Sequence, residues 1–243
     1  MRISFHDWTD PAAAQRTAAA PGREEVQVWN ATIPVDGVDL TYFSRLLSVD
    51  ERARARRFEA TAARRQFVLG RALLRQLLGI CLHVEPARLV FSYQSGGKPC
   101  LARSSVSADL RFNLSHSRSR VAIALARGRD VGVDIEWMDP ATDCPLLAGR
   151  IFSPRDLCAW QALTEPQQPA AFFHAWTRKE AYLKAIGEGL TDALPAIEVT
   201  FAPGIEPELR GLPGASETAH QWAIRIMPLP PDYAGAVVFA ENQ

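Results

Sequence analysis

Two acidic residues stand two positions apart in a β-branched segment near the middle of the chain. The segment 131–136 carries Asp134 and Glu136 among valine and isoleucine, a composition that predicts a β-strand. Because side chains alternate across a strand, both carboxylates are expected on one face, with Val133 and Ile135 on the core face. A divalent cation between the two like charges would remove their repulsion, and ligands that are all oxygen favour Mg²⁺ or Mn²⁺ over Zn²⁺. The alternative is an exposed strand face with two solvated acids.

A third carboxylate lies in segment 170–186, whose apolar spacing predicts a helix. The expected buried stripe consists of the large apolar residues Phe172, Phe173, Trp176, Leu183 and Ile186. Glu180 falls within this stripe, and Lys184 lies one turn later on the same face. Because a carboxylate on a buried face needs a partner, two interpretations are open. Glu180 forms an i,i+4 ion pair with Lys184, or it shares a metal with the strand 131–136.

Three other stretches carry groups that bind anions. A turn at 96–99 offers backbone N–H groups and the ammonium of Lys98, and a polar run at 115–117 places His116 between two serines. The segment 48–78, predicted to be helical with a break near residues 60–61, holds eight arginines with few acids nearby. Each stretch has a structural alternative: a common tight turn, a structural histidine, and an amphipathic helix with a solvated basic face.

Lysine is rare in this chain. Of 27 basic residues, only Lys98, Lys179 and Lys184 are lysines. A lysine kept among so many arginines hints that a compact ammonium is wanted, as at a phosphate. Chance explains three instances equally well.

Composition excludes several classes of protein. The chain has 243 residues and a formal net charge of zero, so no global field points to nucleic acid or a membrane surface. Four cysteines lie far apart with no metal-ligand spacing, which indicates free thiols in a reducing compartment. No apolar run is long enough to span a membrane, and the first residues lack the apolar centre of a signal peptide. The expected location is the cytoplasm.

The elements that would position these residues form two similar halves. Helices are predicted at 40–47, 48–78, 146–152, 154–163 and 170–186, and strands at 26–33, 88–93, 121–126, 131–136, 197–201, 221–227 and 236–239. Ser48 with Glu51 predicts a capping box, and Ser153 predicts a helix cap. Residues 1–25, rich in alanine and proline, are expected to form a flexible lead-in. An N-terminal lobe at 26–129 and a C-terminal lobe at 130–243 are expected to follow it.

Four motifs, in this order and spacing, resemble the 4′-phosphopantetheinyl transferase superfamily, specifically its Sfp-type members. They lie at 97–100, 112–117, 132–136 and 176–184, and the resemblance covers roughly residues 26–240. It implies an α+β fold of two similar α/β lobes related by a pseudo-twofold axis within one chain. It also implies that coenzyme A and Mg²⁺ bind at the lobe interface, close to the strand of Asp134, and Mn²⁺ is the other cation that the oxygen ligands allow.

The resemblance implies a reaction in which the serine hydroxyl of an apo acyl or peptidyl carrier protein attacks the β-phosphate of coenzyme A. Phosphopantetheine moves to the serine, and 3′,5′-ADP leaves. Asp134, Glu136 and Glu180 would hold the metal, and Glu180 would accept the serine proton, directly or through a metal-bound water. Lys184 would stabilise the leaving group. The residues implied to bind coenzyme A are Arg54, Lys98, Pro99, Ser115, His116, Asp134 and Lys184.

The resemblance also carries expectations about partners, and two rival functions use the same residues. A carrier protein and coenzyme A are the expected partners, without nucleic acid or membrane, and the protein is expected to be a monomer. One rival is a Mg²⁺-dependent phosphohydrolase in which water replaces the serine as nucleophile. The other is a non-catalytic pair of lobes that binds a nucleotide or a carrier protein. The sequence has no Asp-His-Ser triad spacing that would argue for a serine-nucleophile hydrolase.

Overall fold

The structure is a computed structural model that describes residues 1–8, 18–34, 38–102, 109–189, 193–212 and 216–241. The chain divides into two compact units. The first consists of Met1–Gln94 with Pro99–Gly128, and the second of Ser95–Lys98 with Arg129–Gln243. The short segment Ser95–Lys98 therefore belongs with the second unit, whereas the sequence analysis placed it in the N-terminal lobe.

The first unit contains three helices and six strands within the described residues. In chain order they are β1 Arg2–Trp8, β2 Glu25–Thr32, α1 Leu40–Arg45, α2 Val49–Arg56, α3 Thr61–Leu82, β3 Phe91–Tyr93, β4 Pro99–Leu101, β5 Leu110–Ser117 and β6 Arg120–Arg127. A 3₁₀ turn at Pro86–Arg88 precedes β3. The main sheet has the order β1-β2-β6-β5, and β3 pairs with β4 separately.

The longest helix of the first unit supplies the core of that unit. The apolar stripe of α3 includes Leu73, Leu74, Leu77 and Leu78, which pack with Trp29, Phe112, Ile123 and Leu125 of the main sheet. The stripe recurs at helical spacing, so one face of α3 covers the sheet. The helix ends at His83, whose φ of 54° lies in the left-handed region.

The second unit repeats this layering with a smaller sheet. Its elements are β7 Val131–Trp137, α4 Cys144–Ile151, α5 Pro154–Gln161, α6 Gln168–Ile186, β8 Glu198–Val199, β9 Leu209–Gly211, β10 Trp222–Ile226 and β11 Tyr233–Ala240, with 3₁₀ turns at Leu194–Ala196 and Ser216–Gln221. The antiparallel sheet has the order β10-β11-β7. Helix α6 packs against β7 and β11. Both units therefore mix helices and sheet, as the predicted α+β class requires.

Several local predictions are confirmed. The capping box of Ser48 and Glu51 starts α2, and Ser153 accepts a hydrogen bond from the backbone N–H of Asp156 at the start of α5. The helical segment predicted at 48–78 breaks where expected, because α2 ends at Arg56 and α3 begins at Thr61.

Other local predictions are wrong. The flexible lead-in expected at 1–25 does not hold for Arg2–Trp8, which form strand β1 and pair in parallel with β2, with Trp8 buried. The strand expected at 88–93 is reduced to Phe91–Tyr93, because Pro86 starts a 3₁₀ turn before it. Phe112 and Leu114 alternate like the end of a strand, but β5 continues through the polar run, since Ser115, His116 and Ser117 also pair with β6.

No described helix has both the length and the apolar character that crossing a membrane would require.

Candidate active site

A buried ion pair joins the strand β7 to the helix α6 in the second unit. The ammonium Nζ of Lys184 donates a hydrogen bond of 2.5 Å to Oδ1 of Asp134. Asp134 is only 1% exposed, whereas the side chain of Lys184 is 30% exposed. Burial lowers the pKa of Lys184, but the neighbouring carboxylates of Asp134, Glu180 and Glu136 raise it by more. The net pKa of Lys184 is therefore above its ordinary value. Lys184 is therefore a charged ammonium at neutral pH.

Glu180 is the second buried carboxylate of this site. It is 7% exposed, and its Oε1 atom is buried without accepting a hydrogen bond from any described residue. The pKa of Glu180 is raised to about 7: burial is the largest cause, repulsion from Asp134 adds to it, and Lys184 opposes both. The structural alternative, an i,i+4 ion pair with Lys184, is not what forms, because Lys184 reaches across to Asp134 instead. Glu180 is thus a carboxyl group whose pKa lies near neutral pH, and one of its oxygens accepts no hydrogen bond from the described residues.

A glycine two positions before Asp134 explains why the strand and the helix approach so closely. A Cβ atom on Gly132 would lie 2.0 Å from the backbone oxygen of Ala181 and 2.3 Å from the backbone nitrogen of Ala185. Gly132 and Asp134 share a strand face, so the missing side chain of the first lets α6 approach the carboxylate of the second. The alternation of the strand alone does not predict this role of Gly132, although a glycine inside a β-branched strand is a recognised sign of close backbone approach.

The carboxylates proposed as metal ligands are brought together only in part. Asp134 and Glu180 interact electrostatically, and Glu136 is half-buried at the end of the same strand face. Within the described ranges, no group of three His, Cys, Asp or Glu residues is arranged to hold a metal ion. The donor chemistry nevertheless fits a hard divalent cation, because carboxylate oxygens are the ligands it prefers and Glu180 Oε1 accepts no hydrogen bond from the described residues.

The side chain of Lys98 is hydrogen-bonded to backbone carbonyl groups of the second unit. Its Nζ donates to the carbonyl oxygens of Val131 at 2.9 Å and Ala185 at 2.7 Å. The first lies at the start of β7 and the second near the end of α6, where Gly187 ends the helix with a φ of 80°. Lys98 therefore ties the turn before Pro99 to the two elements that carry Asp134 and Lys184. Its predicted contact with a nucleotide stays a prediction.

The remaining predicted nucleotide-binding residues lie in the first unit. Arg54 is exposed on α2, with its guanidinium 5.2 Å from the ring centre of Phe67. On β5, Ser115 is buried and His116 is exposed, so the two adjacent side chains lie on opposite faces of the strand. Pro99 begins β4. Their roles as ligands stay predictions.

Two of the eight arginines are structural, which the sequence analysis did not foresee. Arg75, 1% exposed, bonds through Nε to Oε2 of Glu51 at 2.6 Å and through Nη1 to the backbone oxygens of Pro86 and Leu89. Arg71 lies 3.7 Å from the other oxygen of Glu51. Few acids were expected near these arginines, and the one that Arg71 and Arg75 share is Glu51, which is 24 positions away from Arg75 in sequence yet adjacent in the fold.

Comparison with known proteins identifies the family. Residues 130–238 match the family model described as the 4′-phosphopantetheinyl transferase superfamily, and residues 29–127 match a model of the N-terminal part of 4′-phosphopantetheinyl transferase. Together the two matches span both units described above.

Individual relatives agree with these matches. The chain is 39% identical over 193 residues to the 4′-phosphopantetheinyl transferase HetI of a Nostoc species, covering 79% of this chain and 81% of the relative. It is 30% identical over 157 residues to the 4′-phosphopantetheinyl transferase Sfp of Bacillus subtilis, covering 65% and 67%. Among solved structures it is similar to the holo-[acyl-carrier-protein] synthase of Thermotoga maritima, with 19% identity and a TM-score of 0.36 over 47% of this chain and 64% of that one.

The chain belongs to the 4′-phosphopantetheinyl transferase family. Within that family it is of the Sfp type, and it is an enzyme.

Proposed function

We propose that this enzyme transfers the 4′-phosphopantetheine group of coenzyme A to a serine of an apo carrier protein, with Mg²⁺ as cofactor and 3′,5′-ADP as the leaving product. The observation that carries the proposal is the cluster of Asp134, Lys184 and Glu180 in the second unit. It combines a charged ammonium with a carboxyl group whose pKa is about 7. This combination suits phosphoryl transfer, because positioning and charge stabilisation account for most of its catalysis.

Glu180 is suited to accept the proton of the attacking serine hydroxyl. A general base works best when its pKa lies near the working pH, and without bound metal the buried Glu180 has a pKa of about 7. An ordinary exposed glutamate would be a much weaker base. Its Oε1 atom accepts no hydrogen bond from the described residues, so its lone pairs are not already used by the protein.

Lys184 is suited to stabilise charge on the departing phosphate. Asp134 holds its ammonium in place through the 2.5 Å hydrogen bond, so the cation is oriented before substrate arrives. Its raised pKa keeps it charged throughout the neutral range. When bound, Mg²⁺ would neutralise the pyrophosphate, and Asp134, Glu136 and Glu180 are the residues that would hold it.

The nucleotide end of coenzyme A is proposed to bind Arg54, Lys98, Pro99, Ser115 and His116. Support comes from the exposed cation of Arg54 and the exposed ring of His116. The enzyme is further proposed to act as a monomer in the cytoplasm. Both family-model matches lie within one chain, and four free cysteines are consistent with a reducing compartment.

The direct test incubates the protein with an apo carrier protein, coenzyme A and Mg²⁺ and follows the mass of the carrier. A mass gain equal to phosphopantetheine, lost with a chelator and restored by Mg²⁺ or Mn²⁺, supports the proposal. Cleavage of coenzyme A without labelling of any carrier would indicate a phosphohydrolase instead. Binding of coenzyme A without either reaction, across a panel of carriers, would indicate a non-catalytic protein.

A further inference from the structure

A lysine adjacent to Glu180 is completely buried and faces away from the proposed reaction. Lys179 on α6 is 0% exposed. Its Nζ donates to the carbonyl oxygen of Ile151 at 2.6 Å, to that of Leu194 at 3.2 Å and to Oδ2 of Asp156 at 3.5 Å. The same nitrogen lies 5.5 Å from the ring centre of Phe152. Because the side chain has no exposed surface and its ammonium is bonded to these three groups, it is closed off from solvent.

These contacts hold α6 from a second side. Residues 179 and 180 project about 100° apart on a helix, and residues 179 and 184 about 140° apart. Lys184 binds Asp134 on β7, whereas Lys179 binds the last residue of α4, the 3₁₀ turn at Leu194 and the first turn of α5. Fixing a helix on both sides restricts its rotation and its movement along its own axis.

Stability alone does not explain this lysine. Burial lowers the pKa of Lys179 to about 8 and raises the pKa of Asp156, so each group carries a desolvation penalty. Replacing a buried ion pair by apolar groups of similar volume is often neutral or stabilising. A buried pair next to the proposed base therefore calls for another reason, and geometry supplies it.

We propose that Lys179, with Asp156 as its partner, is a positioning residue that sets the location of Glu180 relative to Asp134 on β7. Lys179 touches neither substrate nor cofactor, and it acts by holding α6 at one rotation and one height against α4 and α5. The inference rests on the proposed function, because it concerns the placement of the proposed base and metal ligand.

The test compares Lys179→Met, which keeps the length of the side chain, with the double variant Lys179→Met/Asp156→Leu, which removes the whole ion pair. Phe201→Leu is the matched control, because Phe201 is buried with its ring 5.1 Å from the Phe152 ring, and its apolar side chain can form neither a hydrogen bond nor an ion pair with Lys179 or Asp156. All variants are assayed below their unfolding midpoints. We expect kcat to fall at least tenfold in both pair variants, with KM for coenzyme A and for the carrier within twofold of the wild type. Phe201→Leu should keep kcat within twofold of the wild type, even if its unfolding midpoint falls as much as those of the two pair variants.

A second readout does not depend on turnover. Mg²⁺ binding, measured by titration calorimetry, should weaken at least threefold in Lys179→Met and stay unchanged in Phe201→Leu. If Lys179→Met does not fold, Asp156→Asn replaces it, because it keeps the bonds from Lys179 to Ile151 and Leu194, and a kcat at least threefold below the wild type is then expected. A double variant with wild-type kcat and Mg²⁺ affinity, or losses no larger than those of Phe201→Leu, would overturn the proposal. Failure of the wild-type protein to label any carrier refutes the proposed function instead, and the calorimetric comparison still decides whether Lys179 positions Glu180.

Discussion

The close approach of β7 to α6 predicts that Gly132→Ala separates the two halves of the candidate site. The added Cβ would meet backbone atoms of Ala181 and Ala185 at 2.0 and 2.3 Å, where ordinary contact begins at 3.4 Å. Backbone atoms cannot rotate away as a flexible side chain can. The strand and the helix must therefore move apart by about 1 Å or more, and overpacking of this kind typically costs about 1–3 kcal/mol.

The displacement should also affect activity. It would lengthen the 2.5 Å bond between Lys184 and Asp134 and change the distance from Asp134 to Glu180. A misplacement of about 1 Å costs on the order of 100-fold in rate. We therefore expect kcat for carrier labelling to fall on the order of 100-fold at saturating substrates, with an unfolding free energy from urea denaturation lower by about 1–3 kcal/mol.

Gly149→Ala is the control for this prediction. Gly149 lies in α4, and a Cβ there would have no atom within 4 Å. Alanine has a better helix propensity than glycine, so this change should raise the unfolding free energy by up to about 1 kcal/mol and leave kcat unchanged. Wild-type stability and wild-type kcat in Gly132→Ala would refute the reasoning that close packing of β7 on α6 assembles the site.

Four further predictions concern single residues. Glu180→Gln should abolish transfer, while the far-ultraviolet circular dichroism stays native and the unfolding midpoint is unchanged or higher; near-normal labelling would contradict the role of Glu180 as base and ligand. Lys184→Ala should lower kcat more than it weakens coenzyme A binding measured by calorimetry, and an effect on binding alone would contradict its leaving-group role. Glu51→Gln leaves Arg75 buried without its charged partner, so the unfolding free energy should fall by about 3–5 kcal/mol, whereas exposed Glu59→Gln is the control and should change it little. Burial, and to a lesser extent Arg178, lower the pKa of His174, so the unfolded chain takes up this proton before the folded chain as the pH falls below 6.5. The unfolding free energy should therefore fall with decreasing pH, with a slope approaching about 1.4 kcal/mol per pH unit. His174→Gln should remove that contribution, and a pH profile of stability that is the same in the variant and the wild type would refute the prediction.

Much of the site could be predicted from the order of residue types along the chain. The alternation in 131–136 placed Asp134 and Glu136 on one strand face, and the helical spacing in 170–186 placed Glu180 and Lys184 on a buried face. Both placements depend only on the periods of strands and helices, which are local properties. The capping box of Ser48 and Glu51 was predictable for the same reason, since its groups are three residues apart.

What the sequence left open were pairings between residues distant in the chain. It allowed Lys184 to pair with Glu180, which is near in sequence, and the fold pairs it with Asp134 fifty positions earlier. It offered few acids for Arg71 and Arg75 and did not say which would pair with them, and the packing of α2 on α3 supplies Glu51 to both. Strand β1 was missed because Arg2–Trp8 become a strand only by pairing with β2, a long-range contact that local composition does not indicate.

The sequence by itself determined the family, the class of chemistry and the faces on which the acids lie. The tertiary structure decided which charges neutralise each other and which stay available. Gly132 brings α6 against β7, Lys184 is thereby committed to Asp134, and Glu180 keeps a buried oxygen and a pKa of about 7. A pKa depends on burial and on the distances to neighbouring charges, and both exist only after the helix has packed on the sheet.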